Sequence, residues 1–387
     1  MALFHPAQSL PPLEKERFMH FRRLILAGSL GAALALAGCG PKQTAAPGAA
    51  SSSTSSTGAA SGTPGAITIG YSDWPGWTAW AIAEKQGFFK KHNVNVSLKW
   101  FPNYTDSLNA FAANQVDANC QTWSDTMAPL AQGQAAKVVL INDNSAGNDG
   151  IVAGPDIHSV KDLKGKKVAT ELGTVEQFLL DKALAANGMS EKDISYVNIK
   201  VQDCPAALIG HQVDAVAVWE PNKSQLLAKL PGSHVVFDSR ALPGQIPDLL
   251  VFQSKYVAAH PQEVQGIVDA WYDSIDWWRK NPDAAVQIMA DTAKDPGTPA
   301  EQIAFYKSFI QGTRIFSASE AQAAFTQSAK PTSLYSSGPS ITQFLLGEKE
   351  IPKLPDYASA IDPAFVQAAV KKGEGKLPPY DYALKVN

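Results

Sequence analysis

Three cysteines in 387 residues are too few for a disulfide framework. The seven histidines stand singly, without the spacing of a metal-ligand set. No Lys/Arg block stands out in the part of the chain after residue 65, and the formal net charge is only −3. That balance excludes the electrostatic footprint of a nucleic-acid binder. The chain has no Gly-x-Ser-x-Gly elbow and no phosphate loop of the Walker kind. No catalytic residue, metal or cofactor is therefore expected.

What is present starts with a leader. Arg22-Arg23 precedes an apolar segment from Leu24 to Ala37, the order of a secretory signal. The segment closes on Leu36-Ala37-Gly38-Cys39, which resembles the lipobox of bacterial lipoproteins. The resemblance implies cleavage before Cys39, a lipid on its thiol, and an extracytoplasmic protein anchored to a bacterial envelope membrane. A plain signal peptide or a short membrane helix is the alternative, but the run is shorter than the ~20 residues a spanning helix needs. Met19 offers a second possible start. Residues 39–65 are rich in Ser, Thr, Ala, Gly and Pro, a composition that cannot bury enough apolar surface to fold and reads as a flexible tether.

From residue 66 one pattern is used twice. Strands are expected at Ile67–Tyr71, Val94–Trp100 and Val116–Cys120, with helices over Trp77–His92 and Asp106–Asn114. The same order returns with strands at Lys166–Thr170, Ile194–Val201 and Val213–Val218 and helices over Val175–Ala186 and Pro205–Gly210. The segment Ala110–Ala118, ending Asn-Gln-Val-Asp-Ala, aligns with Ala207–Ala215, ending His-Gln-Val-Asp-Ala. Alternating strands and helices argue for βαβ units. Two similar α/β lobes follow, with lobe 1 from residues 66–148 and 249–387 and lobe 2 from 149–248. The amphipathic stretch Pro261–Arg279 and later helical pieces are expected to pack back on lobe 1. Cys120 and Cys204 read as small buried apolar residues, and in opposite lobes a disulfide between them would lock the cleft.

Ligands of open α/β sheets bind beyond the carboxyl ends of the strands. The loops there hold Asp73, Trp74 and Trp77; Thr122, Ser124 and Asp125; Glu171 and Thr174; Trp219 and Glu220. The crossings add Asn148 and Asp149 on one side and Asp248 on the other. These are the candidate ligand-binding residues. Several have structural readings too: Asp73, Thr174, Asp125 and Asp248 fit as helix or segment caps, and Trp77 as core. Glu220, between Trp219 and Pro221, has the least evident structural purpose. Asp117 and Asp214 read as turn or cap residues.

The order of Gly70-Tyr71, Gly87-Phe88-Phe89, Val116-Asp117-Ala118, Asp162-Leu163-Lys164-Gly165-Lys166, Gly173-Thr174 and Trp219-Glu220-Pro221 resembles solute-binding proteins of ABC importers. The branch is the one that binds sulfonates, taurine, nitrate and thiamine pyrimidines. Gly147-Asn148-Asp149-Gly150-Ile151-Val152 is similar to a subgroup found beside urea-carboxylase and guanidine-utilisation genes. The resemblance implies a type II periplasmic-binding-protein fold: two parallel-rich sheets flanked by helices, a hinge, and an all-helical C-terminal extension on lobe 1. It also implies a non-enzymatic monomer that delivers its solute to a separate permease and ATPase.

The residue types bear on the ligand directly. The candidate loops carry Asp73, Asp125, Asp143, Asp149, Glu171 and Glu220 with Trp74, Trp77, Trp123 and Trp219, and no Lys or Arg. Carboxylates accept charge-assisted bonds from a small cation, and an indole face adds cation–π attraction. A small nitrogenous cation of the guanidinium kind is expected. A sulfonate, taurine or nitrate anion, held at the helix opened by Thr174, stays open, as does a thiamine pyrimidine. An enzyme resembling thiamine-pyrimidine synthase is the rival class.

Overall fold

The computed structural model describes residues 65–294 and 296–373. The expected leader, the expected lipidation at Cys39 and nearly all of the expected tether lie outside them. No helix among the described residues is long and apolar enough to cross a membrane.

Among the described residues, eleven strands form two sheets. They are β1 (Ile67–Tyr71), β2 (Val96–Trp100), β3 (Ala118–Thr122), β4 (Ala136–Ser145), β5 (Gly150–Ala153), β6 (Lys167–Thr170), β7 (Ser195–Asn198), β8 (Ala215–Val218), β9 (His234–Asp238), β10 (Pro247–Gln253) and β11 (Thr313–Ile315). The first sheet has the order β11-β4-β10-β3-β1-β2 and the second β7-β6-β8-β5-β9. Each contains a parallel trio, β2-β1-β3 and β7-β6-β8. Each trio is followed by an antiparallel pair of strands. Both sheets are thus mixed, not dominated by parallel pairs, because β5 and β10 are the strands on which the chain crosses over and returns. The continuous apolar runs of β8 and β10 are buried throughout, as strands covered on both faces require.

The internal repeat reaches the backbone. Asn114 and His211, aligned in the sequence, both take a left-handed conformation, with φ of 56° and 52°. One residue on, Gln115 donates its N–H to Ala110 O at 2.8 Å and Gln212 to Ala207 O at 2.9 Å. The Asp117 carboxylate accepts the Thr68 N–H at 2.9 Å, and Asp214 accepts the Lys167 N–H at 2.8 Å. Each aspartate therefore ties the start of the third strand of its trio to the first, and neither belongs to a ligand site.

The two crossings are bonded to one another. Ser145 and Ser239 share a hydroxyl bond at 2.8 Å, and the Gly147 N–H donates to Ser239 Oγ at 2.7 Å. After β10 the chain is mainly helical. Val264, Ile267, Val268, Trp271, Ile275 and Trp278 bury the inner face of the helix Pro261–Lys280, and Trp271 packs on Trp80 with ring centroids 4.6 Å apart. The extension is not all-helical, since β11 pairs with β4 at the sheet edge. Nor does it touch the first lobe alone: Phe344 meets Phe178 of the second lobe edge-on at 5.6 Å. Cys120 and Cys204 are buried and unpaired.

Candidate functional site

Ser72, Trp74, Trp77, Tyr104, Thr122, Asp149, Val175, Trp219 and Asp248 line a narrow cavity of about 10 Å³, space for about one water. It lies among the ends of β1, β3 and β8, the start of β10 and the first turn of the helix Val175–Ala186. Rings make most of its wall. Tyr104 lies 5.6 Å from Trp77 and meets Trp219 edge-on at 5.6 Å.

Acidic side chains stand behind and within this wall. Asp143 and Asp248 face each other as register partners on β4 and β10. The Trp74 indole N–H is shared by the two Asp143 oxygens at 3.1 and 3.3 Å. Burial pushes Asp143 up to about 7, with nearby Asp149 adding to the rise. Asp248 is pushed well above the usual carboxylate range by burial and by Asp143. Two carboxyls so close cannot both ionise at low cost, so the pair holds a proton between them. Asp149 is raised to about 6 by burial. Fully buried Glu176 is raised well above the ordinary range by burial and by the Asp149 charge.

One base enters this cluster. Lys223 is buried, with Nζ 3.2 Å from Glu220 Oε1 and donating to Gly147 O. The other oxygen of Glu220 accepts the Ser224 N–H at 3.0 Å. Glu220 is thus consumed by its own helix, Asn222–Lys229, accepting a first-turn N–H and pairing with Lys223.

Contacts between the lobes surround the cavity. Asp73 Oδ1 accepts the Trp219 indole N–H at 3.1 Å, and Oδ2 accepts Asn222 Nδ2 at 3.2 Å and Gln202 Nε2 at 3.3 Å. Burial raises Asp73 to about 6 against those three bonds. Asp125 accepts Ser124 Oγ at 3.1 Å and the Val175 N–H at 3.2 Å, and burial raises it to about 6. The N–H that opens the helix Val175–Ala186 is therefore already given to a carboxylate. Thr105 donates to Glu171 Oε1, whose other oxygen accepts the Val201 N–H at 3.4 Å.

Residues 74–285 match the NMT1/THI5-like family. The chain belongs to that family. A putative binding protein of Brucella abortus (strain 2308) is 28% identical over 232 residues, 59% of this chain and 72% of the relative. A putative aliphatic sulfonates-binding protein of Escherichia coli is 27% identical over 266 residues, 63% of this chain and 76% of the relative. Among solved structures, the periplasmic aliphatic sulphonate binding protein of Escherichia coli superposes with a TM-score of 0.64 at 23% identity, covering 79% of this chain and 99% of that one. The two-lobed fold is that of periplasmic binding proteins.

In this NMT1/THI5-like protein, the candidates read from the sequence divide into groups. Trp74, Trp77, Thr122, Asp149, Trp219 and Asp248 line the cavity. Asp73, Asp125 and Glu171 make contacts between the lobes instead. Ser124 bonds Thr122 at 3.0 Å and Asp125, and Thr174 donates to Glu171 O at 2.8 Å. Asn148 turns away: its amide donates to Phe309 O and Thr313 Oγ1, both at 2.6 Å, because it anchors the segment leading into β11. The candidate loops and the cavity lining hold no Lys or Arg, and Lys223 reaches the acidic cluster from the helix Asn222–Lys229 instead. Tyr104, Val175, Glu176 and Lys223 do not stand out in the sequence as site residues. Val175 and Glu176 read as ordinary positions of an expected helix, and Tyr104 and Lys223 fall outside the expected helices and join the helices Tyr104–Ala112 and Asn222–Lys229 only in the structure. Away from the cavity, oxygens of Asp181, Glu191 and Glu350 come within 4.8 Å of one another, but Tyr196 donates to Asp181 and nothing further marks a metal centre.

Proposed function

We propose that this chain is the solute-binding component of an ABC importer, held outside the cytoplasm by a lipid on Cys39, and that it closes its lobes on a small nitrogenous cation. The observation that carries the reading is the set Asp143, Asp149 and Asp248, gathered at a cavity walled by Trp74, Trp77, Tyr104 and Trp219 with no Lys or Arg in its lining. A cation placed there relieves the mutual repulsion of the carboxyls and meets ring faces, each worth about 0.5–2 kcal/mol. Micromolar affinity corresponds to about −8 kcal/mol, within reach of two charge-assisted bonds and a stacked ring. The putative binding proteins among the relatives support solute capture over catalysis.

A sulfonate-type anion is the second reading, favoured by the relatives named for aliphatic sulfonates. Against it, the Val175 N–H that would suit an anion is occupied by Asp125, and Lys223 is tied to Glu220 and Gly147. Titration calorimetry of the mature chain with guanidinium, taurine and hydroxymethylpyrimidine separates these. Heat with guanidinium is expected; heat with taurine alone would overturn the cation reading. A solute-dependent product appearing in the same mixtures would support the enzyme class.

A further inference from the structure

We infer that the ligand is a small cation that also carries a neutral hydrogen-bond acceptor, of the carbonyl kind, beside its N–H-bearing charged group. This rests on the cation reading above.

Three cavity-lining residues have a buried polar atom without a protein partner: Ser72 Oγ, Trp77 Nε1 and Asp149 Oδ2. The residues are 1%, 2% and 2% exposed, so bulk water does not serve them. Asp149 can only accept while ionised; the neutral Glu176 carboxyl lies against it, and its remaining lone pairs suit the cationic N–H. Trp77 Nε1 can only donate. A bare guanidinium, all donors, leaves that indole N–H unmet, and a buried donor left unmet is costly. Ser72 stands five residues earlier on the same loop and can donate as well. Trp80, Trp123 and Trp271 also lack an N–H partner, but none of them lines the cavity. What sets Trp77 apart is that a ligand is the available acceptor.

The acceptor is neutral because of its surroundings. A carboxylate or sulfonate would put another negative charge beside Asp149, Asp248 and Asp143, with no free base to balance it. The cavity as it stands, about 10 Å³, holds little more than one water, so such a ligand enters only when the lobes part around it.

The test compares probes of matched size: propylguanidinium, which has no acceptor, guanidinoacetamide, which has a carbonyl oxygen, and guanidinoacetate. Calorimetry on the mature chain is expected to give guanidinoacetamide at least tenfold tighter binding than propylguanidinium, and tighter than guanidinoacetate. In Trp77→Phe the amide's advantage over propylguanidinium should fall below about threefold. Ser72→Ala, a milder change, should reduce the same ratio if the indole substitution does not fold. Equal affinities in the wild type, or an advantage untouched by both substitutions, would overturn the inference while leaving the cation reading in place. Tighter binding of guanidinoacetate than of the amide would overturn the neutral-acceptor clause. If no guanidino probe binds and taurine does, the cation reading itself has failed.

Discussion

The Asp73 carboxylate accepts the indole N–H of Trp219 at 3.1 Å, joining the loop after β1 to the loop after β8 across 146 positions of chain. Trp219 lines the cavity and Asp73 does not. With Asn222 and Gln202 as further donors, Asp73 fastens the second lobe over the cavity and sets the angle of one of its walls. A residue expected in the ligand site instead holds Trp219, which lines the cavity.

Replacing that acceptor tests the clasp. In Asp73→Asn the shape is kept, but one acceptor oxygen becomes an N–H group facing donors. Hydrogen bonds to a charged group contribute about 1.5–3 kcal/mol each, and a tenfold change in affinity needs only about 1.4 kcal/mol. Solute affinity is expected to drop at least tenfold by calorimetry. An unchanged dissociation constant would show that the closed form does not depend on this bond.

Glu220 leads to the opposite expectation. Its oxygens serve Lys223 and the Ser224 N–H, so Glu220→Gln should leave solute affinity within about threefold while destabilising the fold. Removing one partner of a buried ion pair costs about 3–5 kcal/mol, and the amide oxygen can still accept from Ser224, so the low end applies. Thermal unfolding and calorimetry on the same preparation decide it. A tenfold loss of affinity with an unchanged Tm would restore Glu220 as a ligand.

These two residues mark the boundary of what the sequence could tell. The doubled fold was legible because its signals are local. Asn114-Gln115-Val116-Asp117 and His211-Gln212-Val213-Asp214 each build one left-handed turn and one aspartate tie within a few residues. The partners of Glu220 were local too, three and four residues on, and first-turn helix contacts explain them once the helix is placed. Asp73 finds its partners 129 to 149 positions away, and no spacing rule reaches that far. Asp143 and Asp248 are neighbours only because β10 returns from the second lobe to lie beside β4. Strand β11 is a three-residue edge in a run of helices, too short to stand out.

The buried carboxyls make stability depend on pH. Asp73, Asp125 and Asp149 are held at about 6, Asp143 and Glu350 at about 7, and Asp181 at about 8, each chiefly by burial. All lie above the ordinary carboxylate values of about 4. Between pH ~4 and ~8 the folded chain therefore binds more protons than the unfolded one, and stability falls as pH rises through that window. Without solute, Tm at pH 8 should lie at least about 4 °C below that at pH 5, equivalent to roughly 1–2 kcal/mol. A bound cation should flatten the slope. A Tm that climbs from pH 5 to 8 in the free protein would mean that these groups ionise without penalty.

Gly76 offers the most local probe of the acidic wall. A Cβ there would lie 2.1 Å from Asp143 Oδ2 and 2.6 Å from Trp74 Nε1, so the absence of a side chain is what lets the carboxylate and the indole meet. The backbone is not the reason for glycine, since φ is −61° and ψ −35°, open to any residue. In Gly76→Ala the methyl group must drive Asp143 away from Trp74, and with it the carboxyl shared with Asp248. Overpacking of this kind costs about 1–3 kcal/mol, and the displaced wall should lower solute affinity at least tenfold. Gly65→Ala, where a Cβ meets nothing within 4 Å, is the matched control and should change neither quantity. Tm and calorimetry on both variants give the answer: wild-type affinity in Gly76→Ala would mean that the Trp74–Asp143 bond does not shape the binding cavity.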